Sequence, residues 1–515
     1  MRKERDFMRL INSVKNMTSA FFQMMISTLL GFCVRSVFIA TLGLEYQGLN
    51  GLFSSILFML SIAELGIGTA IIFNLYPLIS QQETEKIKTL MHFYKICYRI
   101  VASVVSFIGL ALLPFLKIMI NFHGISENIN LLYLLYLSST VATYLFSYKR
   151  SMLYADQKNY VLNITDTMTS ILMNIIFLFV LIKFRSYVVY LVVTLVFTIL
   201  ENLFISVYVD NKYPYLKEKK TEKLEAKVFS NFKLQIYGMF FHNVGNFAVF
   251  GTDNLIISKF LGLKVMGLYS NYLLVITSIS TLLTAIITSL TASVGNLLTE
   301  KKTAKSFEIY QNISFINFWI YSFASISIFL LMQPFVILWL GKNELLSESI
   351  LLVITINFYV QGQRKPIQLF QNASGIFYEN RHIPVFESVI NLISSILLVN
   401  YLGLSGVLLG TLLSTMVLYS YSFPKYIYQP VFHQKIKAYL IEQAGYLMLF
   451  LIILAMSWIV SACITRFNNT WIIFILNAIL ALFLPNLFFL FVFRKRSEFK
   501  YFENLLRDIF KGNLK

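Results

Sequence analysis

The sequence predicts an all-α polytopic membrane protein with about 14 transmembrane helices, and three observations predict it. The composition suits a chain dissolved in lipid: of 515 residues, 57% are hydrophobic and 13% charged, and the mean hydropathy is +0.69. A soluble domain carries about 25% charged residues. The apolar residues come in runs of roughly 20, the length a helix needs to cross about 30 Å of hydrocarbon, rather than in the segments of about ten with alternating polarity that build a transmembrane β-barrel. The 43 lysines and arginines sit in the gaps between runs, and their density alternates from gap to gap, as a stack of spans with two different sides requires.

Taken in order, the apolar runs place spans at 17–42, 49–78, 97–120, 131–146, 161–182, 187–209, 234–261 and 266–298, then at 313–340, 350–369, 383–399, 405–423, 439–464 and 471–493. Spans 4 and 11 are the shortest. With the N-terminus inside, basic residues favour the cytoplasmic gaps by about five to one, and both termini face the cytoplasm. The expected location is the bacterial cytoplasmic membrane. A net charge of +18 does not point to nucleic acid, because the basic residues form no continuous patch. Cys33, Cys97 and Cys463 lie in or beside apolar runs, without pairing or metal spacing. The first apolar run is too long for a cleavable signal peptide.

The chain repeats itself. After span 1 it reads Leu42-Gly43-Leu44-Glu45-Tyr46-Gln47-Gly48-Leu49, and after span 7 it reads Leu261-Gly262-Leu263-Lys264-Val265-Met266-Gly267-Leu268, an offset of 219. At nearly the same offset Ala155-Asp156-Gln157 is echoed by Ala373-Ser374-Gly375. Six spans per unit is an even number, so both units start on the same side and the repeat is parallel. The expected organisation is an N-terminal six-span lobe (1–209), a charged cytoplasmic linker (210–233), a C-terminal six-span lobe (234–425), two extra spans (426–493) and a basic tail (494–515). Phe499, Phe502, Leu505, Leu506 and Ile509 give that tail the pattern of an amphipathic interfacial helix.

Ionisable groups at bilayer depth cost roughly 2.5–3.5 kcal/mol or more, so they face a bundle interior or a cavity. Arg35, Glu64, Asp166, Asp253 and Glu387 stand out; Glu201 lies nearer a cytoplasmic end and is discounted. On span 7, Gln235, His242, Asn246 and Asp253 share a stripe about 40° wide at helical pitch. Such a stripe lines water or substrate, or else bonds to another helix. On span 8, Thr277, Thr281, Thr284, Thr288 and Thr291 share one face, although each hydroxyl can also satisfy its own helix. The expected cavity residues are Arg35, Gln235, His242, Asn246, Asp253, Thr284 and Thr288, with Glu64, Asp166, Asp253 and Glu387 as candidates for coupling or gating. Arg35 and Asp253 stand at near-equivalent depths in the two halves; either Arg35 receives an anionic head group beside Asp253, or the two form a static pair.

The stretch Tyr46-Gln47-Gly48-Leu49-Asn50-Gly51-Leu52-Phe53, with Leu60-Ser61-Ile62-Ala63-Glu64-Leu65-Gly66-Ile67-Gly68-Thr69-Ala70, resembles polysaccharide flippases of the Wzx type. So do Ala155-Asp156-Gln157-Lys158-Asn159-Tyr160 and Gly251-Thr252-Asp253-Asn254. These flippases belong to the multidrug/oligosaccharidyl-lipid/polysaccharide exporter superfamily. The resemblance covers the whole chain; its N-terminal motif is fairly specific and the rest is pattern-level. It implies two MATE-like six-helix lobes around a cationic cavity that alternates between inward-open and outward-open states. The implied cargo is an undecaprenyl-pyrophosphate-linked repeat unit for capsule or exopolysaccharide, handled in the bilayer; polysaccharide synthesis machinery is a candidate partner, and the oligomeric state is left open, a monomer being compatible with the sequence. The chain departs from the arginine-rich lumen of related lipid II flippases, since Arg35 is the one clear cation deep in a span. Lys149, Arg150, Arg364 and Lys365, near cytoplasmic helix ends, are candidates for first capture of the pyrophosphate.

Other readings make different demands. A drug/cation antiporter of the same superfamily would use the acidic residues as cation sites, and a lipid II flippase would carry a related cargo. A membrane-embedded polymerase needs a large outer loop with acid/base groups, whereas 121–130 and 341–349 are short. No enzymatic activity, nucleic-acid partner, cofactor or bound metal is expected; coupling to H+ or Na+ is left open.

Overall fold

The computed structural model describes residues 2–64, 67–116, 125–218, 251–299, 303–376, 379–380 and 382–510. Among the described residues there is no strand, and 11 helices are long and apolar enough to cross a membrane. The other three expected spans are accounted for one by one. Most of span 7 lies outside the described residues, and spans 2 and 10 are each broken into two shorter helices.

Span 2 runs as α2 (Leu44–Leu60), a 3-10 turn (Ser61–Glu64) and α3 (Ile67–Gln81). The α-helix ends at Leu60 and tightens into the 3-10 turn at Ser61–Glu64 before α3 begins at Ile67. Span 10 runs as α11 (Glu348–Gln363) and α12 (Lys365–Ser374), parted at Arg364. Here the cause is Pro366, which has no N–H to offer the carbonyl of Gly362 one turn earlier. Asn317 of α10 (Thr303–Trp339) supplies a donor instead, its side-chain amide 3.1 Å from that carbonyl oxygen.

The chain divides into two compact units, Met1–Gly267 and Leu268–Lys515. In the first, α1 (Arg2–Leu42) packs along α6 (Asn159–Lys183), and α5 (Ile129–Ala155) lies between α4 (Thr84–Leu112) and α7 (Tyr187–Lys212). The boundary gathers residues 251–267 with the first unit, although the repeat begins its second half before them. The contacts explain why: Asn254 donates to Ser55 of α2 at 2.6 Å, and a Cβ at Gly251 would meet Met59.

At this junction the two copies of the eight-residue motif pack against each other. A Cβ on Gly48 would fall 1.9 Å from the carbonyl oxygen of Leu263, and a Cβ on Gly267 would fall 2.2 Å from that of Leu44. Each copy's second glycine therefore admits the other copy's backbone. The first glycines, Gly43 and Gly262, share a left-handed φ of 94° and 87°. The weaker echo matches in the same way, with Gln157 at 57° and Gly375 at 71°.

The helix beginning at Leu263 continues to Thr288 as α8, followed by α9 (Thr291–Thr299). In the second unit, α10 packs against α11 and α16 (Thr470–Phe493), and α15 (Ile436–Ile464) against α16. α13 (Ile383–Leu402) and α14 (Leu404–Val417) form a tight hairpin: Gly406 and Gly410, one turn apart on α14, sit against the Leu398 carbonyl and Ser395. Small residues at four-residue spacing allow such approach in membranes. Beyond α14 the helix widens into two π-helical segments, Leu418–Ser422 and Pro424–Tyr428. α17 (Ser497–Phe510) packs on α10, with Phe499 stacked on Trp319.

Candidate functional site

In the first unit, polar side chains gather in two layers along α1. Gln23 and Arg35 are twelve residues apart, about 18 Å at 1.5 Å per residue. Around Arg35 the surroundings are phenolic. The half-buried guanidinium lies in the electrostatic reach of Tyr190 and Tyr136, within an aromatic cluster of Phe38, Tyr46, Phe177 and Tyr187. Ser54 donates to the Asn50 carbonyl at 2.8 Å, so the 2.7 Å bond between Ser54 and Tyr136 carries the phenol's proton. That leaves the Tyr136 oxygen as an acceptor facing a cationic neighbourhood. Asn50, in the resemblance motif, accepts from Tyr187 at 3.2 Å, and Tyr46 donates to Glu127.

In the layer around Gln23, charge is exchanged among four helices. Arg150 of α5 donates to Asp166 of α6 at 3.1 Å and, through its other terminal nitrogen, to Glu201 of α7. Gln23 of α1 donates to Asp166 at 3.4 Å. Lys149 is buried and donates to Asp210 at 2.7 Å and Ser206 at 2.6 Å. About two turns from Gln23 along α1, Asn16 accepts from the Tyr160 amide at 2.7 Å and donates to the Gln157 carbonyl at 3.0 Å, clipping α1 to the α5–α6 turn. In that turn Tyr213 donates to Asp156 at 2.5 Å; burial first, and then this carboxylate, raises the Tyr213 hydroxyl well above its usual pKa.

The remaining expected residues divide clearly. Glu64 stands at the break of span 2 and accepts from Tyr98 of α4 at 3.1 Å. Asp253 is buried in the helical stretch beside α2. Gln235, His242 and Asn246 lie outside the described residues. On the threonine face of α8, Thr277, Thr281 and Thr288 are exposed and bond back to their own helix, Thr281 to the Thr277 carbonyl at 2.7 Å and Thr288 to that of Thr284 at 3.0 Å, while Thr284 is half-buried beside the Tyr321 hydroxyl of α10. Among the described residues no three His, Cys, Asp or Glu side chains converge as a metal site would require.

In the second unit, Glu387 of α13 receives Arg364 at 3.2 Å, with both side chains buried. Arg364 also donates to Gln361 at 3.0 Å, and Gln361 donates to Thr415 at 2.9 Å. An arginine and a carboxylate thus join span 4 to span 5, Arg150 with Asp166, and span 10 to span 11, Arg364 with Glu387. Of the four cations near helix ends, Lys149, Arg150 and Arg364 are engaged by acidic or hydroxyl partners rather than left in solvent. Glu201, Arg364 as an ion-pair partner, Tyr98 and Asn16 escape sequence reasoning, since nothing in one helix's periodicity names the neighbour it will face.

No sequence-family profile matches the chain, and no curated protein sequence matches it. Solved structures do. The lipid II flippase MurJ, in an inward closed conformation, matches with a TM-score of 0.64 at 17% identity over 94% of this chain and 99% of that one. An inward-facing multidrug resistance MATE family transporter of the MOP superfamily matches with a TM-score of 0.61 at 14% identity, over 78% of this chain and 94% of its own. A mutant of the Vibrio cholerae MATE transporter VcmN gives 0.56 at 15%, over 79% and 94%. At these identities the likeness shows the fold: the chain is a multi-pass, all-α membrane protein with the architecture shared by MATE transporters and MurJ.

Proposed function

We propose that the chain is an alternating-access flippase that carries an undecaprenyl-pyrophosphate-linked oligosaccharide repeat unit from the cytoplasmic to the outer leaflet for capsule or exopolysaccharide synthesis. The observation that carries this reading is the extent of the likeness to a lipid flippase, 94% of this chain against 78% for the MATE transporter. Arg35 supports it: a guanidinium suits a phosphate group, and Tyr136 and Tyr190 lie within its electrostatic reach. Against drug/cation antiport stands the state of two of the four candidate carboxylates. Asp166 and Glu387 already hold arginines, which leaves them poorly placed to receive an organic cation.

In a strain whose surface polysaccharide depends on this chain, Arg35→Ala abolishes that polysaccharide while membrane abundance stays at the wild-type level. Normal polysaccharide in this variant would remove the anion-binding role and, with it, the local support for a pyrophosphate cargo. Efflux of organic cations by the purified, reconstituted chain would instead establish the antiporter.

A further inference from the structure

Between α13 and the π-helical stretch after α14 lies a half-enclosed cavity of about 380 Å³. His382, Ile383, Phe386, Glu387 and Ile390 line one side, and Ser414, Val417, Tyr421, Ser422 and Tyr426 the other. Its size is at the small end for a small-molecule site, ~300–1,000 Å³, which suits one ring and its substituents rather than a whole repeat unit.

The polar groups are buried and prearranged. Glu387 is 5% exposed and is held by Arg364, which also lies over Phe423. A carboxylate offers about four acceptor positions, and the guanidinium and the Thr415 hydroxyl use two of them. Ser422 is fully buried, and its hydroxyl has no hydrogen-bonding partner in the protein. A buried hydroxyl left unmatched is unfavourable, so its place in the cavity wall points to an occupant. The wall itself is π-helical over Leu418–Ser422 and Pro424–Tyr428, and such segments gather at functional sites.

The chemistry selects the occupant. Arg364 cancels the charge of Glu387, so the floor is polar but neutral. Lys425 is already committed to Tyr421, 2.7 Å from its hydroxyl, and lies over the Tyr421 and Tyr426 rings. What remains is a ring-sized space with aromatic walls, spare carboxylate acceptors and an unused serine hydroxyl. We infer that this cavity is a subsite for a single neutral sugar ring, whose hydroxyls donate to Glu387 and exchange a hydrogen bond with Ser422 while its apolar face lies against Phe386 or the tyrosines. The identification of that sugar as part of a transported molecule rests on the flippase reading.

The test uses the full chain in lipid nanodiscs, with methyl glucoside and methyl N-acetylglucosaminide as probes and benzylammonium as a cationic comparator, read by saturation-transfer NMR. A glycoside signal weakened about tenfold by both Ser422→Ala and Phe386→Ala, with thermal stability lowered in neither, is the expected result. Phe386 is 61% exposed, so its variant separates loss of binding from loss of fold. The inference is overturned by absence of a glycoside signal in the wild type, by a signal that either variant leaves intact, or by benzylammonium binding in place of the glycosides. Because binding is read directly, its failure leaves the flippase reading standing, and normal polysaccharide in Arg35→Ala leaves the subsite standing.

Discussion

Arg364 and Glu387 sit at 6% and 5% exposure with nitrogen and oxygen 3.2 Å apart. Removing one partner of such a pair strands the other charge, at a cost of about 3–5 kcal/mol, whereas replacing both with apolar residues of similar volume is close to neutral. Arg364→Met therefore lowers the thermal midpoint of the purified chain strongly, and Arg364→Met with Glu387→Leu recovers most of the loss. Equal losses in the single and double variants would contradict the pairing. The same reasoning limits what residue-level sequence reading can reach. Arg35, Glu64, Asp166, Asp253 and Glu387 are conspicuous because depth in an apolar run is a property of one chain segment. Their partners Arg150, Tyr98 and Arg364 depend on how neighbouring helices are rotated. Glu201 is discounted for lying near the end of its run, yet it shares Arg150 with Asp166.

At the scale of the element, breaks and close approaches matter more than propensity. Asn317 is fully buried and donates to the carbonyl that Pro366 leaves unmet. Asn317→Ala leaves that carbonyl without a side-chain donor and costs about 1–3 kcal/mol, read as a lower thermal midpoint. Glycines divide by environment. A Cβ at Gly48 would enter the Leu263 backbone, while one at Gly31 meets nothing within 4 Å. Gly48→Ala therefore destabilises by about 1–3 kcal/mol through overpacking, and Gly31→Ala is neutral or stabilising by up to about 1 kcal/mol. Comparing the two thermal midpoints checks this, and similar shifts would contradict the contact. The motif around Gly48 and Gly267 is plain in the sequence as a repeat. That its two copies meet is visible only in space, because a repeat states likeness and says nothing of contact.

For the whole molecule, charge placement predicts that reporters fused to the N-terminus and after Lys515 both show cytoplasmic activity; a reporter on the outer side at either end would overturn the orientation. The sequence by itself determined that this is an all-α membrane protein, about how many times it crosses, and that its halves share turn motifs. Those properties follow from the cost of apolar surface in water and of bare backbone polar groups in lipid, and both act locally along the chain. The tertiary structure decided where spans 2 and 10 break, which arginine holds which carboxylate, that the glycine motifs pack reciprocally, and that a polar cavity opens beside α13. These depend on side chains far apart in sequence meeting at ångström distances. The periodicity of one helix gives the direction its polar face points, but the partner it meets there is set by how its neighbours pack.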